Sequence, residues 1–111
     1  MMHDDRYRFI VSYVEGMALD AVWLYLQDDA PEYFERKALF LWVVGRMLDE
    51  GVICLGRFGI GLHVGSREAV GLFENAFPLR EIEIDHGVWF LGGECPAEIG
   101  WIGGDGRVYW A

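Results

Sequence analysis

The run Glu94-Cys95-Pro96-Ala97-Glu98-Ile99-Gly100-Trp101-Ile102-Gly103-Gly104-Asp105-Gly106-Arg107-Val108-Tyr109-Trp110-Ala111 reads as two short aromatic strands joined by a glycine-rich turn. Residues 99–102 pair with 107–110 across Gly103-Gly104-Asp105-Gly106, whose members tolerate positive φ. A chain that ends on a strand rich in Trp and Tyr is expected to complete its core there, as one whole small domain over residues 1–111.

Upstream of this hairpin the apolar pattern changes period. Glu81-Ile82-Glu83-Ile84-Asp85 alternates with period two and predicts a strand, with Ile82 and Ile84 on one side and Glu81, Glu83 and Asp85 on the other. Residues 88–91 predict a buried strand, and residues 52–55 and 60–64 a hairpin around Gly56-Arg57-Phe58-Gly59. Between the two strand regions, Ser66 is placed to cap a short helix through Phe77, with Ala69, Leu72, Phe73 and Ala76 on one face.

The first half of the chain is helical in pattern. Residues 7–14 are apolar and fit either a helix or a strand, with a helix ending near Gly16 preferred. Leu19, Val22, Trp23 and Leu26 fall at i, i+3, i+4 and i+7 of a second. A third is announced by Asp29 as cap, Pro31 in the first turn and Glu32 as the capping-box carboxylate, with a Glu32–Arg36 pair following. It runs through Ala38-Leu39-Phe40-Leu41-Trp42-Val43-Val44 to Gly51, apolar on nearly all sides, and so reads as the central helix. Helices first and strands later predict an α+β fold, with N-terminal helices packed on a mostly antiparallel C-terminal sheet.

Composition restricts function. Eighteen carboxylates against nine cationic side chains give a net charge of −9, which repels phosphate backbones and argues against direct nucleic-acid binding. The same charge attracts basic surfaces and speeds encounter with them. The longest apolar run is seven residues, too short to cross a membrane, and the polar N-terminus has no secretory pattern. A cytoplasmic protein with reduced Cys54 and Cys95 is expected. Seven Phe, five Tyr and five Trp exceed what so small an interior needs, so some should lie on the surface and mark an interface.

Catalytic residues are scarce. The chain has no Thr and only Ser12, Ser66, Asn75, Gln27 and Lys37 of the other common hydrogen-bonding types. His3 lies in a terminus expected to be disordered, and His3, His63, His86 and the cysteines lack zinc-site spacing. Cys95 with His63 or His86 could form a nucleophile–base pair, but a thiol between aromatic strands reads first as packing. The glycines follow no phosphate-binding pattern. No cofactor, metal or catalytic residue is therefore assigned, and a non-enzymatic role is expected. The candidate binding surface is the acidic face Glu81, Glu83 and Asp85, which would otherwise be the charged outside of an edge strand. Asp28 and Glu35, left over after capping, and Trp89, Trp101 and Tyr109 as exposed anchors complete the candidate set.

At Ala18-Leu19-Asp20-Ala21-Val22-Trp23-Leu24-Tyr25-Leu26, and again at Cys95-Pro96-Ala97-Glu98-Ile99-Gly100-Trp101 followed by Asp105-Gly106-Arg107-Val108-Tyr109-Trp110, the chain resembles a bacterial family known as domain of unknown function 596. The resemblance covers residues 14–111 and carries over no functional residue. Small acidic domains of this kind resemble immunity proteins of bacterial toxin-delivery systems, including contact-dependent growth inhibition. The resemblance implies a cytoplasmic inhibitor that binds a cognate toxin domain, often a basic nuclease. The alternatives are a housekeeping adaptor that self-associates, for instance as a homodimer, and a small enzyme centred on Cys95 or His86.

Overall fold

A computed structural model describes residues 2–111. Its elements follow the order α1 (Asp4–Val14), α2 (Leu19–Tyr25), α3 (Tyr33–Asp49), β1 (Ile53–Arg57), β2 (Ile60–Gly61), α4 (Ser66–Ala76), a 3₁₀ segment (Glu81–Leu91), β3 (Glu98–Ile102) and β4 (Val108–Trp110). The α+β class is as expected: the strands form one antiparallel sheet in the order β2-β1-β3-β4.

The sheet is covered on one face. Ile53 and Leu55 of β1 stand opposite Trp101 and Ile99 of β3, and all four are buried in the same cluster as Ile10, Val22, Phe40 and Val43. Helix α3 runs through the middle, burying Leu39, Phe40, Val43, Val44 and Met47. Its C-terminus is closed by Gly51 at φ +71°, as expected. Around Phe40 the interior is aromatic: its ring lies 5.1 Å from Phe90, 5.5 Å from Phe77 and 6.2 Å from Trp23.

The other face relies on two glycines. Cys54 pairs with Gly100, and Gly100 with Trp110. The Trp110 indole reaches from β4 across β3, so a Cβ on Gly56 or Gly100 would collide with it, and one on Gly100 would stand 2.5 Å from Val108 Cγ1. Only glycine lets the ring lie this close to the backbone.

Several local expectations are corrected. Glu81-Ile82-Glu83-Ile84-Asp85 and residues 88–91 are not strands; they form the 3₁₀ segment. Helix α3 begins at Tyr33 with Glu32 at the cap position and no side-chain cap. Asp29 does not cap it because Arg6 takes its carboxylate with two bonds of 2.9 Å each. Such a bidentate charged pair outweighs a single cap bond. Arg36 likewise leaves Glu32 and turns to Glu81 and the carbonyls of Ala30 and Pro31. Ser66 is the first residue of α4, not its cap, and donates to Asp49. Leu72 is exposed, not part of the buried face of α4. His3 accepts from the Asp5 backbone N–H and caps α1.

Candidate functional site

A surface that combines exposed apolar and acidic groups lies where α2 meets the 3₁₀ segment. Residues 81–84 make one short 3₁₀ turn, anchored where Arg36 pairs with Glu81 and where the Arg80 N–H donates to Glu83. The chain then kinks through three consecutive left-handed residues, Asp85 (φ 50°), His86 (φ 53°) and Gly87 (φ 97°). Left-handed backbone costs roughly 1–2 kcal/mol at a non-glycine residue. Gly87 is buried against α2, where a Cβ would stand 3.2 Å from Asp20 Cβ. The position therefore suits glycine, and Asp85 and His86 before it are exposed.

Beside the kink is a cleft of about 350 Å³ lined by Trp23, Leu24 and Gln27 of the α2 region and by Glu81, Ile82, Ile84, Asp85 and His86. Ile82 is 77 % exposed and Leu24 45 %, so the apolar wall is open to solvent. Gln27 donates its side-chain N–H to the Trp23 carbonyl at 2.9 Å, which leaves its side-chain oxygen as an acceptor. No Lys or Arg lines this cleft.

Of the three carboxylates predicted to share a strand face, Glu81 and Asp85 line the cleft and Glu83 does not. Glu81 and Glu83 lie toward Tyr33, whose phenol is raised to about 12 by burial and then by these two charges. Asp85 lies in the kink. Asp28 is exposed beside Arg6, whose charge it helps to stabilise, and Glu35 is half-buried in the first turn of α3; neither lines the cleft. Trp89 and Trp101 are not exposed anchors. They are 8 % and 5 % exposed, because Trp89 packs on Phe77 and Phe90 and Trp101 donates to the Met17 carbonyl. Tyr109 is exposed, and its hydroxyl donates to Asp105. Sequence reasoning missed Leu24, Gln27, Ile82 and His86 as cleft residues. The available signal was Asp85-His86-Gly87, a tripeptide suited to a left-handed turn.

The C-terminal signature holds the fold. Cys95 is buried, its thiol donates to the Ala97 carbonyl, and Arg57 donates to the Cys95 carbonyl. Burial pushes the Cys95 thiol up, away from the thiolate a nucleophile requires. The neighbouring cleft of about 470 Å³ contains Arg57, Cys95 and Glu98 but neither His63 nor His86. Asp105 accepts from the Arg107 N–H and the Tyr109 hydroxyl, and so shapes the β3–β4 turn. Among the described residues no group of three or more His, Cys, Asp or Glu side chains is placed to hold a metal ion. No helix among them is long and apolar enough to cross a membrane.

Residues 48–111 match the profile of a family described as "Protein of unknown function, DUF596". A solved structure of an uncharacterized protein conserved in bacteria, from Neisseria meningitidis, superposes with a TM-score of 0.83 at 25% identity, covering 96% of this chain and 84% of that one. No curated protein matches the chain.

Proposed function

This chain belongs to the DUF596 family, and we propose that it is a non-catalytic cytoplasmic immunity protein that neutralises a basic toxin domain by direct binding. The observation that supports this reading is how the cations are used. Arg6, Arg8, Arg36, Arg46 and Arg107 are ion-paired with carboxylates of the same chain. Lys37 and Arg57 donate to backbone carbonyls. Most of the eighteen carboxylates have no Lys or Arg partner among the described residues, and Asp28, Glu83, Asp85 and Glu94 on the surface are of this kind. An acidic surface broken by exposed apolar side chains suits a basic protein whose substrate is itself anionic. A toxin of the contact-dependent growth inhibition type, acting as a nuclease, has that chemistry.

The test is in cells. Tagged protein should co-purify with a basic domain at 150 mM salt and lose much of it at roughly 500 mM, where the Debye length falls to about 4 Å. Expression of that domain alone should arrest growth, and co-expression of this protein should restore it. Growth arrest that continues under co-expression removes the inhibitor reading.

A second reading, self-association, is favoured by one surface. Phe9, Tyr13 and Tyr25 form an exposed aromatic row with centroid spacings of 4.5 and 5.7 Å. If that row joins two copies, light scattering will show a dimer that Tyr13→Asp converts to a monomer.

A further inference from the structure

We propose that the cleft between α2 and the 3₁₀ segment is where the basic partner docks, and that its occupant is an arginine side chain of that partner. This deepens the inhibitor reading and depends on it for the source of the arginine. Three features of the cleft select this occupant. Glu81, Asp85 and the free oxygen of Gln27 present acceptors from both walls. A guanidinium offers only donors, in a planar fork that can reach several acceptors at once. Leu24 and Ile82 supply an exposed apolar wall for the aliphatic stem, which a small inorganic cation would leave unused.

The third feature is the backbone that carries the acceptor. Asp85 sits in left-handed backbone two residues before Gly87, which lies so close to α2 that a Cβ there would stand 3.2 Å from Asp20 Cβ. The backbone that carries this carboxylate is thus packed on the α2 wall of the cleft, which lowers the ordering cost of binding relative to a free loop. Glu81 is only partly available, since Arg36 holds one of its oxygens. Asp85 is thus the acceptor on which the cleft chiefly relies.

The experiment is a titration of isotope-labelled protein with a short arginine-rich peptide, followed by NMR. Shifts should concentrate at the amides of residues 82–87 and at the Gln27 side-chain amide. The double variant Asp85→Asn with Ile82→Gln should weaken the peptide by about tenfold or more. Asparagine tolerates the left-handed backbone and Ile82 is exposed, so the spectrum away from the cleft should stay that of the native fold. Glu68→Gln, on exposed α4 surface, should change affinity by less than about twofold. Shifts spread evenly over the acidic surface, with equal affinity in all variants, would overturn the assignment.

The two levels of the reading fail separately. If the toxin domain is captured and the double variant holds it undiminished, the cleft assignment falls and the inhibitor reading stands. If no basic domain is captured but the peptide titration localises to the cleft, the inhibitor reading falls and the cleft remains a guanidinium site.

Discussion

At the scale of single residues, Arg36 shows how much one buried side chain can organise. It is 8 % exposed and ties the start of α3 to Ala30, Pro31 and Glu81. Arg36→Ala should destabilise the fold by about 2–3 kcal/mol, since two carbonyls and a half-exposed carboxylate lose a charged donor. Chemical denaturation measures it; a loss under roughly 0.5 kcal/mol would show that water replaces the guanidinium without cost. Gly100→Ala should cost about 1–3 kcal/mol, because its methyl group meets Val108 and Trp110. Neither role was legible in the sequence. Arg36 had an obvious i,i+4 partner in Glu32, whereas its real partner lies 45 positions away. Trp89 and Trp101 are as fit for an interface as for a core by type alone, and only their neighbours decide it.

At the scale of elements, helices α2–α4 were legible from helical apolar spacing or cap and breaker residues, α1 was open between helix and strand, and the final hairpin was legible because its glycines mark the turn. Residues 81–85 were misread for a topological reason. A strand there would need to join a free sheet edge, and those edges belong to β2 and β4, with which residues 81–85 do not pair. A 3₁₀ turn satisfies its backbone locally instead, and it still buries Ile84, Trp89 and Phe90. The start of α1 is clasped to the end of α3 by a charged network. Asp4 accepts from Arg8 and Arg46, while Glu50 accepts from the Tyr7 hydroxyl at 2.7 Å and from Arg46. The Arg8 and Arg46 guanidinium groups lower the Asp4 carboxyl from 3.8 to about 2, and the Tyr7 hydroxyl and Arg46 lower Glu50. A carboxylate depressed in the fold contributes fully above its unfolded value and loses that contribution as pH falls through the folded one. The melting temperature should therefore drop between about pH 4 and pH 2. Asp4→Asn should flatten part of that drop; an identical pH profile in the variant would remove the clasp from the account.

At the scale of the whole molecule, the family match spans the sheet, α4 and the 3₁₀ segment, while α1, α2 and most of α3 lie before it. The buried cluster does not respect that boundary, since Ile53, Leu55, Ile99 and Trp101 pack with Ile10, Val22, Phe40 and Val43. A fragment of residues 48–111 should lack cooperative unfolding and bind a hydrophobic dye; a sharp melting transition would refute this. Charge and class were legible at this scale, because they are sums over the chain. The cleft was not, because it joins two segments far apart in the sequence. The same separation governs the order of assembly. Strand β1 has β2 beside it almost at once, but its other edge is completed only by β3, after α4 and the 3₁₀ segment have been made. At about 5–20 residues per second, the ribosome leaves that edge open for a few seconds. Throughout that interval Ile53 and Leu55 offer unpaired backbone to any neighbouring nascent chain, so crowding on polysomes is the condition under which this protein is most exposed to misassembly.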